Sequence, residues 1–191
     1  GAIYAAVETG PARRLGQGAV GRRHSDRNLL SQAAASPDGL QPLSGGGGRP
    51  NFAGVIDPFG DYGDFNLNQG VYTMMTYNDG WQTSPTGPLD PTVISRYGYE
   101  GSPMAFDIAA LQFLYGANTS YRTGNDVYML PAGNAAGTFF SCLWDTSGVD
   151  TIRNSSLKSS TIDLRPATLQ HAVGGGGYLS AVDGIYGGLT I

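Results

Sequence analysis

The stretch "SPMAFDIAALQFLYG", residues 102–116, determines the expected architecture, because it is the segment of the chain with the clearest helical pattern. Ser102 can cap a helix, Pro103 suits the first helical position, and Gly116 is a typical helix end. The apolar side chains that recur on one broad face are Phe106, Ala109, Ala110, Phe113 and Leu114. The pattern predicts a helix over about residues 103–115 whose apolar face packs into a core.

Downstream of this helix the sequence changes to short apolar runs, each bounded by Gly, Asn, Asp or Pro, which predicts successive strands. The runs are "DVYML" (126–130), "TFFSCLWD" (138–145), "DTIRN" (150–154), "STIDLR" (160–165) and "GYLSAVDGIYGGLTI" (177–191). The composition agrees, since 30 glycines and 11 tyrosines stand against only 14% charged residues, a balance that favours turns and half-buried strands. The predicted fold class is mainly β, of the α+β type.

The charge of the 191-residue chain is unevenly distributed around its formal net value of -4. Residues 1–50 carry a net charge of +3 with six arginines, whereas residues 51–191 carry -7 and a single lysine, Lys158. The acidic body argues against nucleic-acid binding, which needs clustered cations, and favours cation binding. No run approaches the ~18 apolar residues of a membrane span, and the first residues lack the pattern of a secretory signal.

Three further segments carry weaker expectations. Residues 1–49 have no sustained period and are rich in Pro, Ser, Gly and Arg, so we expect them to be poorly ordered. The acidic loop that holds Asp57, Asp61 and Asp64 could bind a cation, although a solvated loop is the simpler expectation. Cys142 is the only cysteine and lies in an apolar run, so we expect a buried thiol rather than a reactive one.

Several catalytic motifs are absent from the sequence. Lys158 is not preceded by a phosphate-binding glycine loop, and "GGGG" at 174–177 lacks the dinucleotide-binding pattern. The histidines are His24 and His171 and the glutamates are Glu8 and Glu100, so no His-Glu-x-x-His helix exists in this chain. No serine lies in a nucleophile elbow.

Two longer segments resemble a known family. "GVYTMMTYNDGW" (70–81) and "GSPMAFDIAALQFLYGANTSYRTGNDVY" (101–128) resemble consecutive parts of the serralysin-type metzincins, which are secreted bacterial zinc endopeptidases. In that family a Met-Ser-Tyr turn lies beneath the zinc, a helix with Asp-Ile-Ala-Ala closes the catalytic domain, and an Arg-Thr-Gly segment opens a calcium-binding β-roll. The resemblance implies the remainder of a metzincin catalytic domain at 50–117 and a truncated C-terminal β domain, the entry to a β-sandwich or β-roll, at 118–191.

The resemblance also implies roles for two turn residues. Met75 corresponds to the methionine beneath the zinc-binding histidines, and Tyr77 to the tyrosine that can hydrogen-bond the developing oxyanion of a cleaved peptide.

Because part of the helix's usual partner surface is missing, we expect exposed Phe106, Phe113 or Tyr115 to favour association.

The zinc histidines of the family are absent here. The segment in their place is "RRHSDRNLLSQAAASPDGLQPLSGGGGRP" (22–50), so the chain as given is predicted not to cleave peptide bonds. One explanation is an upstream frame shift or a wrong gene start, which leaves a fragment of a secreted endopeptidase for protein or peptide substrates. The alternative is an inactive paralogue retained as a calcium-binding scaffold or binding module.

A calcium site is the most specific expectation. Gly-x-Asp-x-apolar occurs twice, as "GNDVY" (124–128) and "GVDTI" (148–152). In the serralysin family, Arg-x-Gly-x-Thr and Asp-x-Gly-Gly-x-Asp segments hold a structural calcium. The residues to which the resemblance assigns this calcium are Arg122, Gly124, Asp126, Asp145, Ser147, Gly148 and Asp150. Asp126 replaces the family's threonine and Ser147 a glycine, and two ordinary strand-entry turns with solvated aspartates are the alternative.

Overall fold

The computed structural model describes residues 53–57, 59–91 and 96–191, so the expectation for residues 1–49 lies outside the described residues. Within these ranges the fold is mainly β with one α-helix, as predicted. After a short 3-10 helix (Asp64–Asn66), the elements are helix α1 (Ala105–Tyr115) and strands β1 (Val127–Met129), β2 (Phe140–Cys142), β3 (Thr151–Arg153), β4 (Ser160–Thr161), β5 (Ser180–Val182) and β6 (Gly188–Thr190). No helix in the described part of the chain is long and apolar enough to cross a membrane.

The strands form two open sheets. β1 pairs with β3 in parallel, and the second sheet has the order β2-β6-β5-β4. In this second sheet β2 and β6 are parallel, whereas β5 is antiparallel to both of its neighbours. Each of the five predicted apolar runs contains a strand, and the last run forms the β5–β6 pair.

The start of helix α1 differs from the prediction. Met104 is the N-cap residue, and its backbone N–H donates to the Asp107 carboxylate at 2.9 Å. The expectation that Ser102 caps the helix and Pro103 begins it is therefore wrong. Ser102 instead accepts a hydrogen bond from the backbone of Cys142 in β2, at 3.2 Å. Gly116 ends the helix as predicted, with a φ of 84°.

The apolar face of α1 is buried only in its first turns. Phe106 is 1% exposed and Ala110 is fully buried, but Phe113 is 61% exposed and Tyr115 is 63% exposed. The expectation that Phe113 packs into the core is therefore wrong, because the last turn of the helix extends beyond it. Exposure of Phe113 and Tyr115 is confirmed, whereas exposure of Phe106 is not.

The main core joins the loops before the helix to the strands after it. The buried residues of this cluster are Val71, Leu89, Met104, Phe140 and Leu179. The proposed boundary between residues 117 and 118 stays a prediction.

The glycine run 174–177 lies against this core. A Cβ at Gly176 would lie 2.3 Å from Tyr72 Cδ1, and one at Gly175 would lie 2.2 Å from the Gln170 carbonyl oxygen. These glycines allow close packing of one loop on another.

Candidate functional site

Two segments of the chain lie side by side at the entry to β1 and β3. Val127 pairs with Thr151 in parallel register, and the Thr151 N–H donates to the Asp126 carbonyl at 2.9 Å. One residue further back, the Asp126 N–H donates to Asp150 Oδ1, also at 2.9 Å. The pairing therefore brings together aspartates that are 24 residues apart in sequence.

Three of the predicted calcium ligands converge at this entry. Asp126, Asp145 and Asp150 each offer a carboxylate oxygen, and these oxygens all lie within 4.8 Å of one another. Two oxygens bound to one calcium ion at ~2.4 Å can be at most about 4.8 Å apart. Each of the three residues is half-buried, so solvent screens their mutual repulsion only partly. The spacing and charge of this aspartate triad fit a calcium ion.

Asp145 is held in place by two donors. Ser147 donates its backbone N–H to Asp145 Oδ1 at 3.1 Å, and the Tyr128 hydroxyl donates to Asp145 Oδ2. Burial, followed by the hydrogen bond to Asp145, raises the pKa of Tyr128 to about 12. The phenol therefore stays protonated at neutral pH and remains a donor that orients the carboxylate.

Glycine is required where the two segments touch. Gly148 has a φ of 123°, and a Cβ there would lie 1.9 Å from the Gly124 carbonyl oxygen. That oxygen is consequently close to the second segment and is a candidate carbonyl ligand. Ser147 is tolerated in place of a glycine because its hydroxyl donates to the Thr123 carbonyl at 3.1 Å.

The Arg122 side chain packs on the rings of Tyr121 and Tyr128, the second of which donates to Asp145 of the triad. The centre of its guanidinium lies 5.1 Å from the Tyr128 ring centroid and 5.5 Å from the Tyr121 centroid. Its backbone is left-handed, with a φ of 50°, and its carbonyl accepts from the Thr146 N–H at 3.4 Å. Arg122 thus fixes the turn that precedes Gly124.

The methionine turn, residues 73–77, is anchored by the carboxylate of Asp107 in helix α1. Asp107 Oδ1 accepts from the Thr73 hydroxyl at 2.8 Å, and Asp107 Oδ2 accepts from the Met74 N–H at 2.8 Å. Met75 is half-buried and its N–H donates to the Thr73 hydroxyl at 3.1 Å. Burial raises the pKa of Asp107, while these hydrogen bonds act in the opposite direction. The same carboxylate therefore begins the helix and holds the turn.

Tyr77 lies on the open side of the turn. Its side chain is 60% exposed and its ring centroid is 5.2 Å from that of Phe59, which is itself 69% exposed. The loop that carries Phe59 is joined to the turn by Gly60, whose N–H donates to Asn78 Oδ1 at 2.8 Å.

Sequence comparison connects this arrangement to known proteins. The chain is 32% identical over 127 residues to serralysin of Proteus mirabilis, covering 54% of this chain and 24% of that protein. It is 31% identical over 137 residues to serralysin C of Dickeya chrysanthemi, covering 64% and 28% respectively. Metalloprotease AprA of Pseudomonas entomophila is 32% identical over 125 residues, covering 60% and 25%. The chain is related to the serralysins.

The extent of the serralysin relationship is limited. The chain spans about a quarter of the length of the curated serralysins quoted above. No family model matches it.

The zinc site that the serralysin relationship implies does not fit the described residues. His171 is the histidine within them, and its Nε2 lies 2.9 Å from Asp64 Oδ2 while its ring packs edge-on against Phe65. The aspartate triad is the one group of three or more His, Cys, Asp or Glu side chains that the described residues gather at metal-binding distance. His24 lies outside the described residues.

The acidic loop is organised by its own backbone. Asp61 accepts hydrogen bonds from the N–H groups of Ile56, Gly63 and Asp57, which lower the pKa of its carboxyl group. Asp64 faces His171. Asp57, Asp61 and Asp64 are not gathered as metal ligands within the described residues.

Cys142 is a packing residue of β2. Burial raises the pKa of its thiol to about 11, so the thiol is neutral at physiological pH and poorly nucleophilic.

Sequence reasoning missed three functional side chains in this part of the chain. Asp107 orients the turn, Tyr128 orients the triad, and Glu100 accepts a hydrogen bond from the Gly80 N–H at the end of the loop that carries the turn. The Asp of the helix motif was a visible signal for the first, whereas the other two depend on contacts with segments 17 and 20 residues away.

Proposed function

We propose that this chain provides the C-terminal part of a serralysin-like zinc metalloendopeptidase, with a structural calcium ion at the aspartate triad. The observation that carries the proposal is the convergence of Asp126, Asp145 and Asp150 within 4.8 Å, in a chain whose Met75 turn is anchored on helix α1 through Asp107. The relatives' names support the metalloprotease relationship. In this proposal the intact enzyme is secreted and acts on protein or peptide substrates.

Calcium would hold the two strand entries together. The triad supplies three carboxylates, and the Gly124 carbonyl, the Gly148 segment and water complete the six to eight oxygen ligands that calcium prefers. Such an ion neutralises repulsion within the triad and fixes the parallel β1–β3 pair. Calcium that binds only the folded form raises the free energy of unfolding by mass action.

Zinc chemistry is not assigned to the described residues. The chain as given contains two histidines and no His-Glu-x-x-His motif, so we infer that it does not hydrolyse peptide bonds by itself. In this proposal Met75 lies beneath a zinc site and Tyr77 lies on its substrate side. The histidine ligands of that site are not part of this chain as given.

Thermal unfolding tests the calcium proposal. Extracellular calcium modules bind with Kd values of about 10⁻⁴ to 10⁻³ M, so 10 mM calcium adds about 1.4 to 2.7 kcal/mol. We expect a rise in Tm of about 3 to 10 °C, with no comparable rise in 10 mM magnesium. The variant with both Asp145→Ala and Asp150→Ala should show no calcium response, and an unchanged Tm in the unmutated chain would rule the site out.

A casein assay tests the inference on catalysis. We expect no hydrolysis by the full chain with added zinc, and chelator-sensitive turnover would contradict it.

The alternative function, an inactive calcium-binding scaffold, is favoured by the absence of the zinc motif from the sequence. Translation of the other reading frames of the upstream DNA separates the two. A zinc-binding helix encoded in one of these frames would support the protease hypothesis, and its absence would support the scaffold hypothesis.

A further inference from the structure

The loop 70–80, which carries Met75 and Tyr77, closes on a short stem. Gly70 donates its N–H to the Asn78 carbonyl at 2.9 Å, and Val71 donates to the Gly80 carbonyl at 3.2 Å. The two ends of the loop are therefore paired, and the position of the turn depends on this stem staying closed.

Glu100 lies across the stem. Its Oε1 accepts a hydrogen bond from the Gly80 N–H at 3.0 Å. On the other side of the stem, a Cβ at Gly70 would lie 1.5 Å from the same oxygen, so only glycine leaves room for it. The backbone of Glu100 is held by β2, because it forms a parallel β-bridge with Phe140. The carboxylate thus contacts both ends of the loop.

The charged groups acting on Glu100 in the described residues are themselves acidic. Asp79 belongs to the loop, Asp107 belongs to helix α1, and the β2 neighbour Phe140 is apolar. The sequence contains five aspartates and no lysine or arginine between residues 51 and 95. A negative charge on Glu100 is therefore placed against like charges in a half-buried position.

We propose that Glu100 is a proton-sensitive clamp, which holds the stem of loop 70–80 closed when protonated and loosens it when ionised. The turn with Met75 and Tyr77 then opens more readily as the pH rises. The roles of Met75 and Tyr77 rest on the proposed function, but the clamp itself does not.

The electrostatics support the direction of the effect. Burial raises the pKa of Glu100, hydrogen bonds from the N–H groups of Gly80 and of Glu100 itself oppose this rise, and Asp79 and Asp107 add to it, so that the pKa is raised on balance. A carboxyl group whose pKa is higher in the closed form binds its proton more tightly there. The resulting stabilisation is complete below the pKa of the open form and is lost as the pH rises through that of the closed form.

Hydrogen exchange of the loop amides between pH 4 and 8 tests the clamp, on the full chain with a calcium chelator present. After correction for intrinsic exchange rates, we expect the protection factor of Gly80 to fall with pH, by at most about tenfold per pH unit. Glu100→Gln keeps the acceptor oxygen without the charge, so its protection should fall less steeply with pH and exceed that of the unmutated chain at pH 8. Asp183→Asn, which removes an exposed charge elsewhere, should retain the fall.

Two results would overturn the clamp. One is a Glu100→Gln profile that follows the unmutated chain. The other, which needs no variant, is an NMR titration in which the Glu100 side-chain carboxyl carbon titrates at or below its ordinary pKa. Because neither measurement involves calcium or zinc, failure here leaves the proposed calcium site untouched, and failure of that site leaves the clamp untouched.

Discussion

Replacing Asp107 should separate its role as an acceptor from its role as a charge. The carboxylate accepts from the Thr73 hydroxyl and from the N–H groups of Met74 and Met104 at 2.8 to 2.9 Å. Asp107→Ala leaves three donors without their partner, each at about 1 kcal/mol or more. We therefore expect a loss of about 3 kcal/mol in the free energy of unfolding, or about 6 to 12 °C in Tm.

Asp107→Asn is the matched variant. Its amide oxygen can accept from both backbone N–H groups while its NH₂ group donates to the Thr73 hydroxyl oxygen, so we expect a loss of at most about 1 kcal/mol at pH 7. Because burial raises the pKa of Asp107, the native carboxylate is less favourable at high pH, and the asparagine variant should gain relative stability as the pH rises above the ordinary aspartate pKa. Urea unfolding with m-values measures both. Equal losses of stability in the two variants would show that the charge of Asp107, and not its role as an acceptor, stabilises the fold.

Two further substitutions test close contacts. Gly148→Ala should weaken calcium binding by at least about tenfold, since a Cβ would lie 1.9 Å from the Gly124 oxygen. The control is Gly137→Ala, because Gly137 also has a positive φ but has open space around it. This variant should not change the calcium affinity in the same titration. Gly176→Ala should cost about 1 to 3 kcal/mol because its Cβ would lie 2.3 Å from Tyr72, and a loss no larger than that of Gly133→Ala in urea unfolding would contradict this packing.

The sequence was most informative where the signal is local. Each apolar run contains a strand because alternating patterns and flanking glycines act within a few residues. The two Gly-x-Asp units likewise predicted two of the aspartates that converge, Asp126 and Asp150, whereas Asp145 was implied by the family resemblance.

Prediction failed where distant groups compete for one residue. Ser102 has the chemistry of a helix cap, but its hydroxyl oxygen accepts from the Cys142 N–H of β2. Asp107 instead accepts from the Met104 N–H at the start of the helix. Phe113 has the right spacing for the core, yet periodicity does not reveal how far the core extends along the helix. The contact of Glu100 with Gly80 and that of Tyr128 with Asp145 leave no local pattern in the sequence.

A calcium titration of the full chain by isothermal calorimetry tests the proposed site at the aspartate triad. We expect binding of one calcium ion per chain, abolished when Asp145→Ala and Asp150→Ala are combined. The matched control combines Asp57→Asn and Asp64→Asn, which removes two charges from the acidic loop and should leave the binding intact. Absence of calcium binding by the unmutated chain, or equal binding after loss of Asp145 and Asp150, would show that the triad is not a calcium site.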